Sequence, residues 1–409
     1  MKKPICQRWV INSLLDVDYY KLTMAQLAFL FFRWIPVTFG FANRTKKVFL
    51  PDFINERGLC AQLDHVRGIK GITEKEASFL RELGKFKGAF IEFLRELCLP
   101  EYGLRKTDQG YEITFTGFWA EVTLWETICL SIVNELYYRA LLKKMNQAQK
   151  QALFADGKRK LVRKIRILKE NPDIRFIEFG TRRRFSRDWQ SYVYATLLRE
   201  VPNHMIGTSN VALAMKYGTI PMGTFAHETF MIFSGIFRNE LKDSHNKVLQ
   251  CWWNLYGESL SIALTDTYGT DFFFRDMTKE QARLWRGLRQ DSGDPFEFGE
   301  KAIEFYNEYG IDPCEKIIVF SDGLDIDLII RLQNHFQGRI KVAFGWGTNL
   351  TNDLGLEALS LVVKVVRANN HWTVKLSDNL AKAMGPAEEV DLFKRTFGYK
   401  ITLNQECVY

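Results

Sequence analysis

Along the first 135 residues the pattern of apolar and polar positions predicts two kinds of element. Residues 20–34 and 74–98 read as helical stretches, and residues 111–125, rich in β-branched and aromatic side chains, as a strand. Beyond residue 170 the chain becomes rhythmic: an apolar strand, a polar or Gly-containing loop, then a helix. Strands are predicted at 174–179, 205–207, 221–226, 260–264, 317–320 and 340–344, with a further one at 361–366. Helices are predicted at 187–198, 211–217, 298–309 and 325–335. Short apolar strands alternating with amphipathic helices call for a parallel sheet with βα crossovers.

Nearly every predicted strand ends in a compact polar motif. Phe179-Gly180-Thr181-Arg182, Gly207-Thr208-Ser209-Asn210, Ala226-His227-Glu228 and Thr265-Asp266-Thr267 come first. Arg289-Gln290-Asp291-Ser292-Gly293, Ser321-Asp322-Gly323 and Gly345-Trp346-Gly347-Thr348 follow. In a (β/α) barrel all such ends converge on one face, whereas an open doubly wound sheet gathers only those near its switch point. Seven motif-bearing ends therefore favour an α/β barrel.

Composition narrows the class. A chain of 409 residues with 46% hydrophobic and 25% charged residues is globular and long enough for a barrel plus a smaller domain. The net charge of +8 suits anionic substrates. The most basic stretch, 158–169, sets Leu161, Ile165 and Leu168 at helical spacing, which makes it an amphipathic helix with a solvated face rather than a nucleic-acid stripe. Seven cysteines, odd in number and without a C-x-x-C pair, argue against a disulfide framework and a thiolate zinc site. No apolar run is long enough to span a bilayer, and the N-terminus does not read as a signal peptide. A reduced, cytoplasmic setting is expected, with neither membrane nor nucleic acid as partner.

The candidate chemistry lies at the strand ends. In Arg182-Arg183-Arg184 not all three guanidinium groups can point inward, so at least one pairs structurally or faces solvent. Arg182 can serve as a fork for a carboxylate or phosphate, or as a structural partner. Phe179 is either a core residue or a platform for a flat ligand. His227 stands near no other histidine, which argues against a multi-His metal site and leaves structural and catalytic roles open. Gly323, Gly345, Gly347 and Thr348 lie in turns of small residues that let backbone N–H groups approach a phosphate. Asp291 and Asp266 can bind ribose hydroxyls or stabilise an oxocarbenium-like centre, or simply cap helices. Residue chemistry alone reaches a barrel enzyme acting on a phosphorylated sugar.

Taken in order over some three hundred residues, these motifs resemble the nicotinate phosphoribosyltransferase family, as do Leu14-Leu15-Asp16-Val17-Asp18-Tyr19-Tyr20-Lys21 and Gly223-Thr224-Phe225-Ala226-His227-Glu228. The resemblance implies an irregular TIM-like barrel over 136–365. It also implies a second α+β domain over 1–135, completed by about 366–409, and a homodimer with shared active sites. It implies nicotinate, phosphoribosyl pyrophosphate and ATP as substrates, with Mg²⁺. Phe179 would stack on the pyridine and Tyr20 of a partner subunit would cover its other face. Arg182 would bind near the nicotinate carboxylate and the transferred phosphoribosyl group, Asp291 would contact ribose, and Arg289 would lie beside the phosphates. Gly323, Gly345 and Gly347 would cradle the 5′-phosphate, and His227 would be transiently phosphorylated by ATP. Ser209 would donate to the nicotinate carboxylate where amide-using relatives carry an Asp.

Overall fold

The computed structural model describes residues 8–405. Two sheets organise the chain. The first is antiparallel, made of β1 (Pro36–Asn43), β2 (Tyr102–Thr107), β3 (Gly110–Phe118), β10 (Leu361–Ala368) and β11 (His371–Trp372), in the order β11-β10-β1-β3-β2. The second is parallel, made of β4 (Phe176–Glu178), β5 (Met205–Thr208), β6 (Ile262–Leu264), β7 (Gly287–Gln290), β8 (Ile317–Phe320) and β9 (Lys341–Trp346). Its order is β5-β4-β9-β8-β7-β6. The fold is therefore α/β.

The parallel strands are short and almost wholly buried because helices cover them, which is why they read as unbroken apolar runs rather than alternating ones. Their helices begin at polar caps. Ser186 accepts from Trp189 N ahead of Arg187–Glu200, Asp294 accepts from Phe296 N and Glu297 N ahead of Pro295–Glu308, and Asp325 accepts from Leu328 N ahead of Ile326–Phe336. The basic stretch lies within helix Gln147–Glu170, with Leu161, Ile165 and Leu168 buried. Lys164 is drawn inward as well, 2.6 Å from Asp353.

Four expectations change. Residues 221–226 form no ladder: Pro221 makes a single bridge to Thr208, and the Thr224 hydroxyl donates to the Ile262 carbonyl. That segment thus spans β5 and β6 without closing the sheet by strand pairing. The run at 361–366 does not extend the parallel series. As β10 it pairs antiparallel with β1, because the chain has by then left the parallel layer. The helix over 74–98 is two helices, Glu74–Glu82 and Gly88–Glu96, separated near Gly84, whose φ of 65° ends the first. The strand over 111–125 stops at Phe118, and Trp119–Val122 is helical.

Among the described residues, Cys60, Cys98, Cys129, Cys251 and Cys314 are free thiols. Cys6, Cys407 and the first three residues lie outside the described residues. No described helix is long and apolar enough to cross a membrane.

Candidate active site

One cavity opens at the C-terminal ends of the parallel strands. Tyr20, Phe179, Arg182, His227, Arg289 and Asp291 line it, together with Gly323, Gly345, Gly347 and Thr348. Ten of the twelve candidate residues thus line one cavity. The exceptions are Ser209 and Asp266, and both sit directly behind it.

The Tyr20 and Phe179 rings face each other with centroids 6.5 Å apart and planes within 8° of parallel. A flat ring placed midway would lie about 3.3 Å from each, close to stacking contact. Tyr20 belongs to the same chain as Phe179, so these two rings meet within one subunit, where the resemblance implied Tyr20 of a partner. The start of helix Tyr19–Phe31 is held at the end of β5, where Tyr19 N donates to Ser209 O at 2.6 Å. Gly223, at φ 143°, packs beside the two residues, where a Cβ would stand 3.4 Å from Tyr20 N and 3.6 Å from Phe179 Cζ.

Gly180 fixes the turn that carries Phe179 and Arg182. A Cβ there would fall 1.9 Å from Thr351 Oγ1 and 2.7 Å from Thr351 Cβ, so the backbone must move. Gly180→Ala is expected to destabilise the fold by about 1–3 kcal/mol and to weaken binding at the slot, measured by thermal melting alongside steady-state kinetics. An unchanged melting temperature would show that this turn yields freely.

The three arginines divide their roles. Arg184 is fully buried and pairs with Asp16 through two bonds of 2.7 and 2.9 Å, so it is structural. Arg182 stays on the cavity wall, its NH1 3.6 Å from Glu126 Oε1. Arg289 donates from NH2 to Phe225 O at 2.8 Å, while its buried Nε has no hydrogen-bond partner. Seven cationic side chains line the cavity against three carboxylates, which selects for anionic ligands.

His227 opens helix His227–Ile236 at the cavity wall. Its Nδ1 lies 2.9 Å from Thr267 Oγ1 and its Nε2 2.9 Å from Asp291 Oδ2. Burial, then the Lys375 charge, outweigh Asp266 and Asp291 and push the imidazole down to about 4, so it is neutral at pH 7. A carboxylate only accepts, so the ring proton sits on Nε2 and Nδ1 accepts from Thr267. Burial would raise Asp291, but its bond to His227 and the charges of Lys375 and Arg289 hold it well below the usual carboxylate range.

Asp266 lies 3.7 Å from His227 Nε2 and accepts from Ser292 at 2.5 Å and Ser377 at 3.2 Å. Its Oδ1 is buried without a hydrogen-bond partner. It therefore backs the histidine rather than meeting a substrate directly. Ser209 is likewise committed, its hydroxyl donating to Asp18 Oδ1 at 2.6 Å, so it is not free to donate to a ligand carboxylate. Its influence on the slot passes through Asp18, next to Tyr19 in the chain and near the Arg182 charge.

His227, Asp266 and Asp291 bring three ligand atoms within 4.8 Å of one another. Two carboxylates, one with an orphaned oxygen, suit a hard divalent cation such as Mg²⁺. No metal-binding side chains were expected from the sequence.

Sequence reasoning also missed Arg44, Glu126, Lys364, Lys375 and Lys382, all on the cavity wall. Lys364 carried a signal: one charge inside the apolar strand Leu361-Val362-Val363-Lys364-Val365-Val366. Lys375, pushed down to about 8 by burial against the pull of Asp266 and Asp291, carried none.

The chain is similar to known proteins. Residues 174–401 match the nicotinate phosphoribosyltransferase (NAPRTase) family, and residues 15–134 match the nicotinate phosphoribosyltransferase N-terminal domain. The structure of nicotinate phosphoribosyltransferase from Porphyromonas gingivalis is 35% identical, with a TM-score of 0.87 over 95% of this chain and 100% of that one. The structure of nicotinate phosphoribosyltransferase from Vibrio cholerae is 31% identical, with a TM-score of 0.88 over 97% of this chain and 96% of that one. With both family regions present in order, and the slot and cationic wall carried at the expected strand ends, the chain belongs to the nicotinate phosphoribosyltransferase family.

Proposed function

We propose that this chain joins nicotinate to phosphoribosyl pyrophosphate, giving nicotinate mononucleotide and pyrophosphate, with ATP hydrolysed alongside through a phosphohistidine at His227. The observation that carries this reading is the parallel slot between Tyr20 and Phe179 with Arg182 on the same wall. A flat ring that bears a carboxylate satisfies both: the rings take its faces, the guanidinium its charge. Gly345 and Gly347 leave the backbone open beside Phe179, where a Cβ on Gly347 would stand 3.0 Å from Phe179 O. The 5′-phosphate of the sugar would lie against that backbone and the turn at Gly323.

The pyridine nitrogen attacks the anomeric carbon as pyrophosphate leaves. Positive charge grows on the sugar in passing, and the ionised Asp291 is positioned to meet it. The cations Arg289, Lys375 and Lys382 face the departing negative charge across the same cavity. Mg²⁺, held by Asp266 and Asp291, would supply further neutralisation of the phosphates. Separately, the Nε2 proton of His227 passes to Asp291 at 2.9 Å, and the Nε2 lone pair so freed attacks the γ-phosphorus of ATP. The N–P bond forms as the P–O bond to ADP breaks. Water later cleaves the N–P bond.

The deciding assay measures mononucleotide formation from nicotinate and from nicotinamide, each with and without ATP. Product from nicotinate, increased by ATP, is expected. Product from nicotinamide alone would overturn the choice of base, and none from either would remove the activity.

Ser209→Asp tests the choice of base in the buried layer. A carboxylate at 209 would face Asp18, 2.6 Å from the present hydroxyl, with both positions fully buried. A loss of about 3–5 kcal/mol is expected from the uncompensated charge, seen in thermal melting together with a raised KM for nicotinate. Unaltered nicotinate kinetics would remove position 209 from base selection.

A further inference from the structure

Lys21 follows Tyr20 on helix Tyr19–Phe31 and is fully buried. Its Nζ stands 2.5 Å from Glu126 Oε2, contacts Glu228 Oε2, and lies 5.6 Å from the centre of the Tyr20 ring. Burial would lower its pKa, but the two carboxylates outweigh burial and hold it above the ordinary value, so the ammonium stays charged. Each carboxylate serves a different part of the site. Glu126 lines the cavity and shares its Oε1 between Lys364 at 2.9 Å and Arg182 at 3.6 Å. Glu228 follows His227 in the first turn of its helix, and its Oε1 accepts from Trp119 Nε1 at 2.7 Å and Thr123 Oγ1 at 2.6 Å. One ammonium thus joins the slot wall, the arginine beside the slot and the His227 helix.

Glu126 and Glu228 compete for that ammonium. When a ligand carboxylate engages Arg182, Glu126 loses part of its counter-charge and draws harder on Lys21, at the expense of Glu228. In a buried setting of low dielectric such a redistribution reaches the first turn of the His227 helix undiminished by solvent. We propose that Lys21, through Glu126 and Glu228, is a positioning residue that couples occupancy of the ring slot to phosphoryl transfer at His227. The inference rests on the phosphohistidine reading above. Coupling of this kind is reciprocal: whatever ring occupancy does to phosphorylation, phosphorylation does to ring affinity.

A purely structural ion pair would shift stability without altering how one ligand affects the other. The test therefore compares the wild type with the charge-balanced double variant Lys21→Met/Glu228→Gln. Glu126 keeps Lys364 and Arg182 in that variant, and removing both members of a buried pair is tolerated better than removing one. Glu228→Gln alone is the second variant, which leaves Lys21 on Glu126 and serves if the double variant fails to fold. Two quantities are read in each: label taken from γ-labelled ATP, and the ratio of KM for nicotinate without ATP to that with it.

In the wild type the ratio is expected to depart from one by about 5-fold or more. Both variants are expected to take label while their ratio collapses to within about 2-fold of one. A wild-type ratio retained in a folded variant would overturn the inference, as would loss of label, which would put Lys21 in the phosphoryl chemistry itself. A wild type that takes no label would overturn the phosphohistidine reading and this coupling with it. A labelled wild type beside an unaltered variant sinks the coupling alone.

Discussion

Arg182→Ala is expected to lower kcat/KM for nicotinate by about 100- to 1,000-fold, equivalent to about 3–4 kcal/mol. The size follows from what the guanidinium does. It lies on the cavity wall with its side chain 33% exposed, and its own carboxylate neighbour, Glu126, is 3.6 Å away and shared with two lysines. Arg182 is thus incompletely satisfied within the protein and holds donors in reserve for a ligand. A nicotinate carboxylate arriving in the slot loses its hydration, and without Arg182 nothing placed as well replaces it. The loss should appear mainly in KM, because the carboxylate is bound equally before and during the transfer. Nicotinamide, which carries no charge there, should lose far less, and the melting temperature should move little. A variant that loses both bases equally would mean that Arg182 serves the phosphoribosyl half of the site instead.

The sequence placed most of this cavity because short parallel strands leave a plain signature: an apolar run, then an abrupt polar motif. Phe179 and Arg182 after β4, Gly323 after β8 and Gly347 after β9 sit at such junctions, and His227 follows the apolar run 221–226, which pairs with a neighbour through one bridge only. Where the junction was absent the reading failed. Gly287-Leu288-Arg289-Gln290 contains a single large apolar residue, and only its polar end at Asp291 marked β7. Lys375 and Lys382 reach the cavity from the segment that follows the antiparallel β11, and no periodicity ties that segment to the parallel sheet. Ser209 and Asp266 show a second limit. Motif position put each at the active face, but which side of the wall a side chain occupies depends on partners far away in sequence, Asp18 for one, Ser292 and Ser377 for the other. The run Arg182-Arg183-Arg184 shows the same limit from the other direction. The sequence required at least one of the three to turn away, and Asp16, 168 residues distant, decides that Arg184 is one that does.

His227→Ala is expected to reduce labelling of the protein by γ-labelled ATP to background and to remove the effect of ATP on mononucleotide formation. The case rests on the imidazole being a neutral nucleophile with a base already in place. An ordinary surface histidine would be partly protonated near neutrality and would need to lose that proton before attacking phosphorus. Here burial pushes the group down to about 4, so at pH 7 it is almost wholly neutral. Nδ1 is engaged by the Thr267 hydroxyl, which leaves Nε2, the nitrogen facing Asp291 and the cavity, as the site of attack once its proton has passed to Asp291. Asp291→Asn supplies the control. It removes the proton acceptor yet keeps a side chain of the same shape, so labelling should slow markedly without vanishing. Label that survives in His227→Ala at the wild-type level would place the phosphoryl group on another residue. Label lost equally in both variants would mean that the carboxylate does more than accept a proton, since a missing base slows a nucleophile whereas a missing nucleophile stops the reaction.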